Sequence, residues 1–118
     1  AHVNAEALLD RLQGVGGVEA AALVDAEGET VRAVGVPGRI WPGLVTSVLA
    51  SAKALSGLLG GERFEESLIQ YERGPVIVTP LPGAAGPGYV AVLALAADAK
   101  PGRVRHQLRG IVERLKGS

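Results

Sequence analysis

The spacing of apolar residues predicts one amphipathic helix near each end of the chain. Asn4 is a good N-cap for a helix from position 5 to about position 13, and the glycines that follow would stop it. A second helical pattern opens at Asp98 and Pro101 and reaches about position 115. The apolar faces consist of Leu8, Leu9, Leu12, Val104, Leu108, Ile111, Val112 and Leu115. Each helix is therefore expected to pack its apolar face against the core.

The longest helical pattern runs from about Ile40 to Leu59, with Pro42 in the first turn, where its missing N–H costs nothing. Apolar side chains cover more than one stripe of this helix, and small residues would let another helix approach closely. The apolar positions are Leu44, Val45, Val48, Leu49, Ala52, Leu55 and Leu59, and the small ones are Ser47, Ala50, Ser51 and Ala54. Because a helix of this kind usually packs against more than one neighbour, we expect it to contact both its own sheet and a partner.

Five segments have the apolar content and the flanking turn residues of β-strands. A turn from Asp25 to Gly28 joins the first two, and a tight turn at Arg73-Gly74 joins the third and fourth, which makes these neighbours antiparallel. The third segment is short and mixed in polarity, as an edge strand open to pairing would be. Pro80 lacks an N–H donor and indicates a strand end or an edge position. The segments are 18–24, 30–34, 67–72, 76–81 and 89–97, of which the last is the most apolar.

Composition limits the classes of function. The 118 residues fit one domain spanning 1–118. The 12 basic and 12 acidic side chains give a net charge of zero, which argues against electrostatic binding to nucleic acid and against a polybasic membrane anchor. The chain has no Cys, no signal-peptide pattern and no apolar run of membrane-spanning length. We therefore expect a cytoplasmic location.

No constellation of side chains predicts catalysis, a cofactor or a metal ion. The glycines of Gly14–Gly17 follow a helix and precede a strand, whereas a phosphate-binding loop needs the reverse order. Gly83–Gly88 has no convergent polar groups and is better explained as a hairpin loop. His2 and His106 have no second metal ligand at a suitable spacing. The serines lack a nucleophile-elbow setting, and the carboxylates are best explained as solvated charges.

Three stretches of the chain together resemble the roadblock/LC7 family. The first is LLDRLQGVGGVEAAALVDAEGETV at 8–31, which contains a short helix, a glycine turn, an apolar strand and an acid-x-x-Gly hairpin. The second is LIQYERGPVIVTPL at 68–81, and the third is the last strand and amphipathic helix at 90–115. Gly16 stands where the family often has proline, which is a departure from its usual opening.

The resemblance implies an α+β fold of the order α-β-β-α-β-β-β-α, similar to profilin. A five-stranded antiparallel sheet would have the long helix on one face and the two terminal helices on the other. Two subunits of this family usually pair through their third strands, so that their long helices lie side by side. The partner or dimer interface is therefore expected at Arg39, Ile40, Trp41, Leu44, Val45, Val48, Ser51, Ala52, Leu55, Leu68, Ile69, Gln70 and Tyr71.

The resemblance to a family that includes dynein light chains also implies a function. We expect a non-catalytic homodimeric adaptor that binds a small Ras-like GTPase and modulates its nucleotide cycle, with GTPase activation as one form of this role. No cofactor, nucleic acid or membrane partner is expected. A purely structural scaffold module is the main alternative, and a small-ligand sensor ranks below it. The sequence does not separate the adaptor from the scaffold.

The start of the long helix leaves two interpretations open. Trp41, together with Ile40, could form a hydrophobic staple that pins the beginning of the helix. Trp41 could equally anchor a partner, because Trp is enriched among interface hot spots. The neighbouring Arg39 has the chemistry of an arginine finger, but the resemblance points to a different mechanism. Bacterial members of the family that activate GTPases reposition the GTPase's own catalytic residues.

Overall fold

The computed structural model describes residues 5–25, 27, 29–35, 47, 50–51, 53–54, 57–61, 65–83 and 88–116. Their elements, in chain order, are α1 (Ala5–Gln13), β1 (Val18–Val24), β2 (Thr30–Gly35), β3 (Ser67–Ile69), β4 (Val76–Pro80), β5 (Val90–Leu95) and α2 (Pro101–Lys116). Between β2 and β3 lies a group of helical residues that we call the central helical segment. Its described members are Ser47, Ala50, Ser51, Lys53, Ala54, Gly57 and Leu58. The predicted α+β order is confirmed.

The five strands form one antiparallel sheet in the order β2-β1-β5-β4-β3. β5 lies at its centre, since Ala22 of β1 and Val78 of β4 both pair with Val92 of β5. The hairpin of β1 and β2 closes at Asp25, whose Oδ1 accepts 3.0 Å hydrogen bonds from two backbone N–H groups of the turn. Consequently β2 and β3 are the two edges of the sheet, and the third strand is an edge strand as predicted.

One face of the sheet packs against both terminal helices. Because side chains alternate along a strand, Leu23, Ile77 and Leu93 all point to this face, where they are fully buried. The helices contribute Leu8, Leu9, Leu12, Val104, Leu108, Ile111 and Leu115. Burial of each such side chain stabilises the fold by about 1.5–3 kcal/mol relative to exposure. This layer is therefore the larger part of the hydrophobic core.

The opposite face of the sheet is buried as well. It is made of small and β-branched side chains: Ala20, Ala22, Val24, Val76, Val78, Val90, Val92 and Ala94. The half-buried ring of Tyr71 packs against them. The sheet is therefore covered on both faces, as the predicted fold requires.

The edge strand is shorter than the sequence predicted. It was expected over 67–72 but ends at Ile69. The backbone N–H of Gly74 donates a 3.0 Å hydrogen bond to the carbonyl oxygen of Tyr71, and this turn takes the chain out of the ladder. The prediction that Gln70 and Tyr71 belong to the edge strand is therefore wrong, because the turn begins earlier than the alternation of polarity indicated.

Two other strand ends bear on the predictions. The end of β5 differs from the predicted one, and the end of β4 decides between the two positions predicted for Pro80. β5 ends at Leu95 rather than Ala97, since the N–H of Ala96 donates a 2.8 Å hydrogen bond to the carbonyl oxygen of Gly17 outside the ladder. Pro80 is the last residue of β4, inside the sheet order rather than at its edge. The end of a strand tolerates the missing donor.

Candidate functional site

The first part of the candidate site is the outer edge of β3. This strand pairs with β4, as in Leu68↔Ile77, and none of the described strands lies on its other side. Unpaired backbone groups at a sheet edge are a template for pairing with another chain. The side chain of Leu68 is 38% exposed at this edge. The β3 edge can therefore receive a further strand together with an apolar contact.

Two contacts fix the approach to the β3 edge. The buried hydroxyl of Thr79 donates a 2.9 Å hydrogen bond to the carbonyl oxygen of Glu65, which lies just before β3. The next residue, Glu66, forms an ion pair of 2.5 Å between its Oε2 and Nε of Arg105 in α2. These contacts hold the start of the edge strand against its neighbour β4 and against the last helix. The position of the strand is therefore fixed within a single copy.

The second part of the candidate site is the exposed side of the central helical segment. Each described residue of this segment is exposed. At about 100° per residue, they fall within roughly half of the helix circumference. The members Ser47, Ala50, Ser51 and Ala54 are small, whereas Leu58 is large and 83% exposed. This side would let another helix approach closely and would cover an exposed leucine when it does.

The structure brings some of the predicted interface residues to these two surfaces. Leu68 and Ile69 lie in β3, and Ser51 is exposed on the central helical segment. Gln70 is exposed beyond the end of β3, and Tyr71 packs on the buried sheet face. The predictions for Arg39, Ile40, Trp41, Leu44, Val45, Val48, Ala52 and Leu55 fall outside the described residues.

The described residues present exposed apolar groups, an open strand edge and surface charges. Among them, no three His, Asp or Glu side chains are grouped closely enough to hold a metal ion. No helix in the described part of the chain is long and apolar enough to cross a membrane.

Sequence reasoning missed a groove between α1 and α2, which we call the terminal-helix groove. It has a volume of about 520 Å³, with Val15 and Ile111 beneath it and Arg11 and Arg114 at its rim. Its other described lining residues are Gly14, His106, Gln107 and Gly110. The two helices come from opposite ends of the chain, so their pairing has no local pattern. The sequence feature that could have indicated the groove is the set of basic residues on the polar side of the last helix.

The family model described as the Roadblock/LC7 domain matches residues 4–94. The chain belongs to the roadblock/LC7 family. The match includes β1 to β4 and β5 as far as Ala94, and it stops before α2. The β3 edge and the central helical segment therefore lie within the region that defines this roadblock/LC7 protein, whereas most of the terminal-helix groove does not.

Solved structures agree with this assignment. An MglB with a tetrameric arrangement is 27% identical, with a TM-score of 0.73, and the alignment covers 94% of this chain and 84% of that one. The gliding protein MglB from Thermus thermophilus is 26% identical, with a TM-score of 0.73 and the same coverage of 94% and 84%. A Schizosaccharomyces pombe profilin is 17% identical, with a TM-score of 0.69 and coverage of 97% and 98%, which shows the shared fold alone. Among curated protein sequences, none matches this roadblock/LC7 chain.

Proposed function

We propose that this roadblock/LC7 chain is a non-catalytic regulatory adaptor that works as a homodimer and docks onto a small Ras-like GTPase. The observation that carries the proposal is the open β3 edge, together with the exposed small-residue side of the central helical segment. These are the two features that the family usually employs for pairing. The similarity to MglB structures, one of them in a tetrameric arrangement, supports an oligomeric adaptor.

The proposed dimer is isologous, so each copy contributes the same surfaces. Two β3 edges pair and extend the sheets of both copies into one, which satisfies the open backbone groups and covers Leu68. The central helical segments then lie side by side, with Ala50 and Ala54 allowing close contact. The paired helices form a docking surface that a single copy lacks.

The proposed effect on the GTPase requires no catalytic group from this chain. A docked adaptor changes nucleotide turnover when it binds one arrangement of the GTPase's switch loops more tightly than another. Its influence is limited to that difference in affinity, typically about 5- to 150-fold. The GTPase's own residues carry out the hydrolysis, which fits the binding character of the described surfaces.

Ala54→Arg is expected to separate the homodimer into monomers. Ala54 is exposed in a single copy, and Arg is well tolerated in helices, so each copy should stay folded. Between two closely packed helices, however, the guanidinium would be buried without a partner, which is unfavourable. Sedimentation velocity should show a dimer for the natural sequence and a dissociation constant at least about tenfold higher for the variant.

Gly102→Arg is the matched control for the dimer experiment. It adds the same charge to an exposed position of α2, where the added Cβ meets nothing within 4 Å beyond its own chain neighbours and helix backbone. This control should retain the dimer affinity of the natural sequence. A natural chain that sediments as a monomer, or an Ala54→Arg variant with unchanged affinity, would contradict the proposed dimer.

A Ras-like GTPase from the same organism should hydrolyse GTP at a rate that this chain changes by about 5- to 150-fold. Phosphate release in single-turnover reactions measures the change, and Ala54→Arg should abolish it because the docking surface needs two copies. Binding in both nucleotide states without any change of turnover would favour the scaffold alternative. Absence of binding in either nucleotide state would contradict the docking proposal.

A further inference from the structure

The last helix carries a concentrated positive charge in a chain whose net charge is zero. Its charged residues are Arg103, Arg105, Arg109, Arg114 and Lys116, opposed only by Glu113. Arg105 pairs with Glu66, and Lys116 pairs with Glu113 at 3.3 Å. Arg103 and Arg109 form no ion pair within the described part of the chain. The surface of α2 therefore has an excess of positive charge that a partner could neutralise.

The terminal-helix groove concentrates part of this charge in a concave site. Gln107, Gly110, Ile111 and Arg114 are three or four residues apart and so share the face of α2 that lines the groove. Arg114 Nε donates a 3.2 Å hydrogen bond to the carbonyl oxygen of Gly110, which lays its side chain along the groove. Arg103, four residues before Gln107, continues the same row.

The opposite wall of the groove adds a further cation. Arg11 of α1 is exposed, lines the groove and makes no ion pair with any other described residue. The acidic Glu6 of the same helix is engaged by Arg32 of β2. None of the described lining residues is acidic. Basic side chains thus face the groove from both helices.

We infer that the terminal-helix groove binds an acidic peptide segment of a partner protein. An aliphatic side chain of the peptide lies on the floor, and its carboxylates contact the basic rim. This site goes beyond the proposed adaptor function, because it uses neither the β3 edge nor the central helical segment. It gives the chain a second binding surface, so that one copy can hold two different proteins.

The floor and the rim together select for a peptide. Val15 and Ile111 are 5% and 6% exposed, and they form a shallow apolar floor that a free inorganic anion would not use. Guanidinium groups bind carboxylates with two parallel hydrogen bonds. The volume of about 520 Å³ lies within the range of pockets that bind drug-sized ligands, so the groove has room for side chains of a peptide. The net charge of zero disfavours nucleic acid, which needs many cations along its backbone.

Fluorescence anisotropy with a fluorescein-labelled acidic peptide tests this site on the full chain. The probe carries one leucine flanked by glutamates, and binding should weaken as NaCl rises above about 0.15 M. The double variant Arg11→Gln/Arg114→Gln should raise the dissociation constant at least about tenfold, because two charge-assisted contacts are lost. Gln107→Glu, an exposed substitution that adds a carboxylate to the rim, should weaken binding in the same direction.

The matched control is Arg109→Gln/Arg73→Gln, which removes two exposed cations outside the groove and outside the central helical segment and should change the dissociation constant by less than about threefold. An equal loss in this control would overturn the site in favour of a diffuse attraction. Equal binding of a peptide with glutamines in place of glutamates, or no binding of the acidic peptide, would also overturn it. So would binding to phosphatidylserine vesicles without binding to the peptide.

The dimer variant separates this site from the proposed adaptor function. Ala54→Arg should bind the acidic peptide with the affinity of the natural sequence, because position 54 does not line the groove. If Ala54→Arg abolishes GTPase regulation but keeps peptide binding, the result supports the groove as a separate binding site. If Arg11→Gln/Arg114→Gln loses peptide binding but still dimerises, the result shows that the groove and the dimer interface are independent. Peptide binding abolished by Ala54→Arg alone would contradict the assignment to the groove.

Discussion

Gly74→Ala is expected to lower the free energy of unfolding by about 3 kcal/mol or more. Gly74 has a φ of 134°, a conformation that residues with a side chain rarely adopt. A Cβ at this position would also lie 2.2 Å from the carbonyl oxygen of Leu95. That oxygen belongs to the end of the central strand, which is held on both sides, so the backbone cannot move aside cheaply. Urea denaturation followed by far-ultraviolet circular dichroism measures the loss.

The same substitution at Gly102 is the control. Gly102 lies in the first turn of α2, and the Cβ that alanine would add meets nothing within 4 Å beyond its own chain neighbours and helix backbone. Because alanine favours helix, Gly102→Ala should leave the stability unchanged or raise it by up to about 1 kcal/mol. If Gly74→Ala were as stable as Gly102→Ala, the close approach between the β3–β4 turn and β5 would be wrong.

The Gly74 substitution also has a consequence for the proposed interface. The turn at Gly74 returns the chain from β3 to β4, and it places the edge strand in register with the sheet. A variant that remains folded at low temperature should therefore dimerise less tightly than the natural sequence. Sedimentation at the same protein concentration would detect this coupling between the turn and the edge.

Leu93→Ala is expected to cost about 2–5 kcal/mol of unfolding free energy. Leu93 is fully buried in β5, where it pairs with Ala21 of β1 and Ile77 of β4 beneath the terminal helices. Removal of its three outer carbons leaves a space that the tightly held central strand cannot fill. Since domains of this size are stable by only about 5–15 kcal/mol, the variant should lose a large part of its stability.

Leu58→Ala provides the comparison for the core substitution. Leu58 is 83% exposed on the central helical segment, so the same chemical change should alter the unfolding free energy by no more than about 0.5 kcal/mol. Both variants have to be compared in the Ala54→Arg background, because association would cover Leu58 and would itself stabilise the folded chain. Similar losses at positions 58 and 93 would show that the core is not centred on β5.

The candidate site illustrates where prediction from sequence succeeded and where it failed. The short, mixed pattern of the third strand predicted an edge position, and the sheet order confirms it. The extent of that strand was wrong, because Tyr71 accepts the hydrogen bond of the turn and packs on a sheet face made by distant strands. Neither contact is visible in the alternation of Ser67 to Glu72. The small residues Ser51 and Ala54, which were predicted to let another helix approach closely, are exposed in the structure, and their place in an interface stays a prediction.

The local order of residues was sufficient to predict the helices and the hairpin themselves. Leu8 and Leu12 repeat at the period of a helix, Asp25 closes its own hairpin, and the stripe that includes Leu108 marks the last helix. These features depend on backbone geometry and on neighbours only a few residues away, so a linear pattern is enough to specify them.

The neighbours of each element were decided by the tertiary structure. The pairing of β1 with β5 joins segments from opposite halves of the chain and leaves β3 at an edge. The packing of α1 beside α2 brings Arg11 to the same groove as Arg114. Burial of apolar surface drives both arrangements, and this force has no direction along the chain. The pattern shows which side chains must be buried, but only the folded sheet determines which open edge and which basic groove remain for partners.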